Sequence, residues 1–151
     1  MKRAFLLMAF LVSFIAQAED SGLQGKWHGK GQWTYQGSGQ TCIMGMAFSE
    51  TDAEFKRVGG HFACDVVDLT SPERAMVKKG DQLLENDKVI GKIQKDFVEF
   101  TEPYNEQTNV VTTMRLEGKQ MHYQEIWYEK GNRVLYRITG ELFLINSGDV
   151  L

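Results

Sequence analysis

The stretch VVTTMRLEGKQMHYQEIWYEKGNRVLYRITGEL, residues 110–142, decides the fold of this chain. Gly118-Lys119 and Gly131-Asn132 can each form a two-residue loop with glycine first, as a type II′ hairpin turn requires. With both loops in place, apolar residues of neighbouring strands face one another, and a one-residue slip would turn them to water. The stretch therefore predicts an antiparallel meander with the pairs Leu116–Met121, Met114–Tyr123, Thr112–Glu125, Val110–Trp127, Trp127–Tyr136, Glu125–Ile138 and Met121–Leu142.

The same register sorts the side chains of the meander onto two faces, because successive residues of a strand point in opposite directions. The residues expected inside are Tyr123, Trp127, Tyr136 and Ile138. Those expected in solvent are His122, Gln124, Arg137 and Thr139. Glu125 falls on the inner face, where a carboxylate is costly unless it is paired, protonated or bound to a ligand. A satisfied structural carboxylate, or a shifted register, is the alternative.

Upstream of the meander, short β-rich runs alternate with turn residues, and no helical periodicity is sustained. The first strand places Trp27, Gly29, Gly31, Trp33 and Tyr35 on one face. Its inward glycines allow a sharp bend, as the corner of a barrel needs. Further turns are expected at Thr51-Asp52 and at Gly59-Gly60. We expect an all-β fold, a single antiparallel up-and-down β-barrel of 8–10 strands, with a sandwich as the alternative.

Residues 1–18 have the layout of a secretory signal peptide: a basic pair, an apolar run and the small-x-small site Ala16-Gln17-Ala18. The apolar run is shorter than the ~20 residues that a membrane span needs. We expect a mature domain of residues 19–151 in the periplasm or secreted, with no membrane span after cleavage. The longest basic run is Lys78-Lys79, so a nucleic-acid partner is not expected.

The mature chain contains two cysteines, Cys42 and Cys64. In an oxidising compartment an even pair predicts one disulfide. Closing a loop of about 23 residues would contribute roughly 3 kcal/mol in the chain-entropy account. Two core thiols or a metal pair are the alternatives.

Leu23 to Gly31, with the motif Gly25-Lys26-Trp27, resembles the start of lipocalin-like (calycin) barrels, and its Gly-x-Gly spacing is similar to that of nitrobindins. The resemblance implies a barrel whose interior can hold a small, largely apolar ligand. Lipocalins lay an Arg across the Trp, for which Arg133 and Arg137 are candidates, although the register points both outward. Nitrobindins bind haem through a His near the C-terminus. The last histidine here is His122 on the polar face, so no cofactor is expected.

The candidate ligand-binding residues are Glu125, Tyr123, Trp33 and Tyr35. Residues expected to be structural are Trp27, Gly29, Gly31 and Trp127. His28, His61 and His122 lack the spacing of metal ligands, so no metal site is expected. No nucleophile, phosphate-loop or metalloprotease motif is present in the sequence, and no catalytic residue is assigned.

These features predict an exported binding module for a small apolar or amphipathic ligand. The first alternative is a protein-interaction module, similar in architecture to barrel-shaped periplasmic protease inhibitors. The second is a haem-binding, nitrobindin-like barrel. The volume of the interior cavity separates the first two hypotheses, and a visible absorption band tests the third.

Overall fold

The computed structural model describes residues 20–145. The predicted signal peptide, residues 1–18, lies outside the described residues. Residues 20–145 form eleven antiparallel strands: β1 Gly25–Tyr35, β2 Ser38–Glu50, β3 Glu54–Cys64, β4 Asp68–Ser71, β5 Arg74–Lys79, β6 Gln82–Glu85, β7 Lys88–Gln94, β8 Phe97–Asn105, β9 Thr108–Glu117, β10 Gln120–Glu129 and β11 Arg133–Leu144.

The strands form a ring. Starting from β2, the hydrogen-bonded order is β1, β11, β10, β9, β8, β7, β6, β5 and β3, and the pairing of β2 with β3 closes it. The remaining strand, β4, pairs with β3 along Gly60–Ala63, whereas β5 pairs with β3 along Glu54–Arg57. The all-β antiparallel class is therefore confirmed.

Two details of the strand prediction were wrong. The structure has eleven strands rather than eight to ten, because the four-residue β4 carries too little alternation to stand out from a polar connection. The expected turn at Gly59-Gly60 does not form, and β3 continues through it with a bulge at the neighbouring Val58. Packing requires a residue without a side chain at Gly60, because a Cβ there would lie 2.4 Å from the sulfur of Met46. Gly60 accommodates a buried side chain, and the chain does not reverse at the pair.

The predicted pairs of the meander are confirmed, from Leu116–Met121 to Met121–Leu142. The second loop differs in detail. It contains three residues, Lys130–Asn132, and both Gly131 and Asn132 have positive φ. A bulge between Trp127 and Tyr128 absorbs the shift, and the register beyond it is the expected one.

The two predicted faces of the meander are observed, with one difference. Tyr123 and Ile138 are buried and Arg137 is exposed, as expected. Trp127 and Tyr136 point inward but are only half-buried. The outward residues His122, Gln124 and Thr139 are also half-buried rather than fully exposed, because the outer face is concave there.

One end of the ring is closed by the N-terminal segment. Ser21 is fully buried, and its backbone N–H and hydroxyl donate to the Glu50 carboxylate. The Lys78 ammonium lies 2.7 Å from the same carboxylate. Trp27 is 2% exposed and its indole N–H donates to the Leu23 carbonyl at 2.8 Å. Trp27 therefore plugs this end, and a partner satisfies its one polar group.

The predicted disulfide is confirmed. Cys42 on β2 lies directly opposite Cys64 on β3, with Cα atoms 4.1 Å apart and the sulfurs bonded. The bond joins two strands that also close the ring, so it fixes the N-terminal half of the sheet.

Candidate ligand-binding site

A cavity of about 480 Å³ opens at the other end of the ring. We call it the mouth. It is formed where β3, β4, β5, β6, β8, β9 and β10 converge. The side chains on which the argument below depends are Arg57, Arg74, Glu85, Glu102, Tyr104, Glu125 and Trp127.

Glu125 is the buried acid of the mouth. It projects inward from β10, opposite Thr112 of β9 and Ile138 of β11, and is 4% exposed. Its two oxygens accept separate hydrogen bonds, one from the Tyr123 hydroxyl and one from the Trp127 indole N–H, each 2.6 Å long. The alternation of β10 brings all three side chains to one face, since they are two residues apart.

Burial raises the pKa of Glu125 above its usual range, because desolvation disfavours the carboxylate. The hydrogen bonds from Tyr123 and Trp127 and the charge of Arg57 act against this rise without cancelling it. Burial also raises the pKa of Tyr123, and the Glu125 charge adds to the rise. The pKa of Tyr136 is raised for the same two reasons. Glu125 is therefore a buried carboxyl group that favours its protonated form more than a solvent-exposed glutamate does.

An ion-pair network forms the opposite wall. Arg57 is 2% exposed and binds both oxygens of Glu102 at 3.1 Å, while its Nε donates to the Pro72 carbonyl at 2.9 Å. Arg74 donates one hydrogen bond to Glu102 at 2.5 Å and another to Glu85 at 2.6 Å, and so links the two carboxylates. The Nε of Arg74 is buried and has no hydrogen-bond partner among the described residues. The network therefore leaves one donor unused.

Aromatic rings extend from the wall of the mouth in a row across four strands, β8, β10, β11 and β1. Tyr104 and Trp127 meet at 4.4 Å between centroids, and Trp127 and Tyr136 at 4.6 Å. Trp33 follows at 6.0 Å from Tyr136, and Tyr35 stacks on Trp33 at 5.9 Å. Tyr104 is 65% exposed, which leaves a large apolar surface at the rim.

The structure brings together only some of the predicted site residues. Glu125 and Tyr123 are hydrogen-bonded, but Tyr123 lies beneath the cavity rather than in its wall. Trp33 and Tyr35 are reached only through Tyr136, because β11 separates β1 from β10. Trp127, expected to be structural, lines the cavity.

Three other residues that were expected to be structural lie outside the mouth: Trp27, Gly29 and Gly31. Trp27 plugs the closed end. The two glycines lie where β1 packs closely on β11, and a Cβ at Gly29 would fall 2.0 Å from the Glu141 carbonyl oxygen. Neither glycine contributes to the mouth.

The sequence pattern did not predict the ion-pair network of the mouth. Arg57 and Glu102 are 45 residues apart in the sequence, so no local pattern relates them. One signal was present: Arg57 has the same parity as Phe55, which indicates an inward side chain on β3. Arg74 and Glu85 belong to short strands on which parity is a weak guide.

The mouth does not fit a haem. The chain has three histidines, and His28, His61 and His122 all lie on the outer face of the sheet. His61 is bonded to Asp68 at 2.7 Å. No imidazole therefore reaches the mouth to ligate iron. Within residues 20–145 no group of three or more His, Cys, Asp or Glu side chains is arranged to hold a metal ion.

The described residues include no helix that is long and apolar enough to span a membrane.

Comparison with protein-family models found no match, and comparison with curated proteins found none either. Among solved structures, the chain is similar to the crystal structure of Rv2717c from M. tuberculosis, with a TM-score of 0.57. The two are 11% identical, and the similarity covers 82% of this chain and 93% of that one. At this identity the likeness shows a shared all-β, barrel-like fold and nothing about function.

Proposed function

We propose that this protein is an exported, lipocalin-like up-and-down β-barrel that binds a small amphipathic ligand in its mouth. The observation that carries the proposal is the buried carboxyl group of Glu125 in the wall of a 480 Å³ cavity. Ligand sites in proteins typically measure about 300–1,000 Å³ and combine apolar walls with a few fixed polar groups. The mouth has this size, and it combines the apolar side chains of Tyr104, Val110 and Trp127 with a larger number of charged groups.

The polar groups of the mouth define the head group of the ligand. Each oxygen of Glu125 accepts one hydrogen bond, and a carboxylate can accept about four in all. Arg74 Nε supplies a buried donor that has no partner in residues 20–145. A head group that both donates and accepts, such as a hydroxyl, an amide or a carboxylic acid, satisfies both residues.

The aromatic wall defines the rest of the ligand. Tyr104 and Trp127 meet nearly edge to face and present an apolar surface at the rim of the cavity. Burying that surface against an aliphatic or aromatic body is favourable, at roughly 25 cal/mol per Å². The ligand is therefore amphipathic, with its head inward and its apolar body at the rim.

Export is part of the proposal. The leader-like residues 1–18 support it, and so does the disulfide, since such bonds persist mainly in oxidising compartments. We infer a periplasmic or secreted protein on these two grounds.

A fluorescence titration with a dansyl-labelled long-chain alcohol tests the site, because this probe has an apolar body and a hydroxyl head that both donates and accepts hydrogen bonds. We expect saturable binding that Glu125→Gln and Tyr104→Ala each weaken by about tenfold, the loss of one good contact. Val77→Ala is the matched control, since Val77 is an exposed residue of β5 away from the cavity. Equal binding by all four proteins would refute the mouth as the site. Absence of saturable binding would favour the protein-interaction module instead.

A further inference from the structure

We infer that the ligand of the mouth is a cationic amine, an ammonium ion on an apolar body, with its charged head against Glu125. The inference rests on the ligand site proposed above and names the chemical class that this site selects. Three observations carry it: the charge balance of the wall, the aromatic rings beside Glu125, and the free hydrogen-bond acceptors around that carboxyl group.

The charges of the mouth leave one carboxyl group without a cation. The ionised or ionisable acids and the cations that line the cavity are Glu73, Glu85, Glu102, Glu125, Arg57 and Arg74. Glu85 and Glu102 are paired with the two arginines. Glu73 is paired with Lys56, which does not line the cavity. No ion pair within residues 20–145 includes Glu125, so a ligand cation has one acid in this wall to neutralise.

Arg57 does not fill the place of that cation. Its charge attracts a charge on Glu125, but the Glu102 charge acts in the opposite direction. The guanidinium is held by both oxygens of Glu102 and by the Pro72 carbonyl, so it acts on Glu125 as one end of an ion pair. Burial keeps the pKa of Glu125 above its usual range in spite of Arg57. The position beside Glu125 therefore still favours positive charge.

Aromatic rings adjoin this position. The Trp127 indole N–H donates to Glu125, and the Tyr104 ring lies 4.4 Å from the Trp127 ring between centroids. The face of an aromatic ring attracts a cation within about 6 Å of its centroid. The protein's own cations lie over two other rings, Phe97 and Phe100. The faces of Tyr104 and Trp127 are thus available to a cationic ligand.

The free acceptors near Glu125 match the donors of an ammonium group. Each Glu125 oxygen accepts one hydrogen bond, which leaves about two of its four acceptor sites. Thr112, directly opposite on β9, is 1% exposed, and its hydroxyl has no partner among the described residues. A primary ammonium carries three donors and no acceptor. Arg74 Nε is itself a donor, so it requires a neutral oxygen elsewhere in the same ligand.

Calorimetric titration of the purified protein with three probes tests the charge of the head group. Phenylbutylamine, phenylbutanol and phenylbutyrate share an apolar body, and at about pH 7 the amine is a cation and the acid an anion. The amine should bind about tenfold more tightly than the alcohol, the difference between a charge-assisted and a neutral hydrogen bond. The acid should bind most weakly, because its charge repels that of Glu125.

The probes also separate this inference from the site on which it rests. Saturable binding of the alcohol, with no advantage for the amine, would overturn the inference and leave the mouth as a site for neutral ligands. Absence of binding by all three probes would overturn both proposals. Tighter binding of the acid than of the amine would contradict the charge balance of the wall.

Glu125→Gln assigns the advantage of the amine to one carboxyl group. The variant keeps the shape of the side chain and removes its charge, so affinity for the amine should fall about tenfold more than affinity for the alcohol. The matched control is Glu106→Gln, which removes the same charge from the exposed turn between β8 and β9. The control should keep the full advantage of the amine. An equal loss in the control would mean general attraction by an acidic protein and would refute the assignment.

Tyr104→Leu tests the aromatic part and does not threaten the fold, because Tyr104 is 65% exposed. Leucine keeps an apolar side chain at the rim but has no ring face to attract a cation. Affinity for the amine should fall about fivefold, and affinity for the alcohol should fall less. Equal losses for the two probes would mean that the ring serves only as apolar surface, and would overturn the placement of a cation beside it.

Discussion

At the scale of single residues, burial raises the pKa of Glu125, and its two short hydrogen bonds oppose that rise only in part. An acid whose pKa is higher in the folded protein holds its proton more tightly there than in the unfolded chain. Between the two pKa values the folded state therefore binds more protons, and stability falls as the pH rises. The burial of Glu125 thus destabilises the protein most at neutral pH.

Glu125→Gln tests this reasoning. The glutamine can keep both contacts, with its oxygen accepting from Trp127 and its amide donating to Tyr123. The glutamine cannot ionise, so the variant should become more stable relative to the wild type as the pH rises from about 4, which is below the usual glutamate pKa of 4.5. The expected gain is about 1.4 kcal/mol for each unit by which the pKa is raised. Urea unfolding at a series of pH values measures it, and a constant difference between the two proteins would contradict the shift.

Arg57 supports the opposite wall. Arg57→Leu removes a buried cation and leaves Glu102 facing Arg74 alone, with the Pro72 carbonyl unpaired. Breaking a buried ion pair in this way costs about 3–5 kcal/mol. Lys56→Leu, at the neighbouring residue, breaks an ion pair to Glu73 at the surface and should cost nothing measurable. Denaturant unfolding compares the two, and equal stability would show that the network contributes little.

At the scale of elements, alternation and turn chemistry were sufficient for the meander. Its register followed from the two glycine loops together with apolar pairing, and the extra residue in the second loop was absorbed by a bulge at Trp127. Glycines were harder to interpret. Gly118 marks a turn, Gly60 makes room for Met46, and Gly29 allows two strands to approach, but all three look alike in the sequence.

A pair of glycine variants separates these roles. Gly29→Ala places a methyl group 2.0 Å from the Glu141 carbonyl oxygen, so β11 must move, at a cost of about 3 kcal/mol. Gly45→Ala, on the adjacent β2, meets its nearest atom only at 4.0 Å and should be neutral or slightly stabilising. Thermal unfolding of both variants checks the prediction. Equal melting temperatures would mean that the close approach of β1 and β11 is not required.

At the scale of the whole molecule, the sequence predicted the fold class and the disulfide but not the cavity. The mouth joins Arg57, Glu102 and Glu125 from three strands, and their convergence depends on how the ring closes between β2 and β3. Strand pattern alone does not specify that geometry. The inward parity of Glu125 was recognised because β10 belongs to the meander, where the register was determined on both sides.

Native mass spectrometry of the protein purified from its own compartment tests the central claim most directly. The account predicts a chain that begins at Glu19, with the Cys42–Cys64 disulfide intact and one small amphipathic molecule bound. Glu125→Gln, purified in parallel, should show the same folded chain with the bound molecule reduced or absent. A bare chain in both samples, or a protein partner in place of the small molecule, would contradict the account.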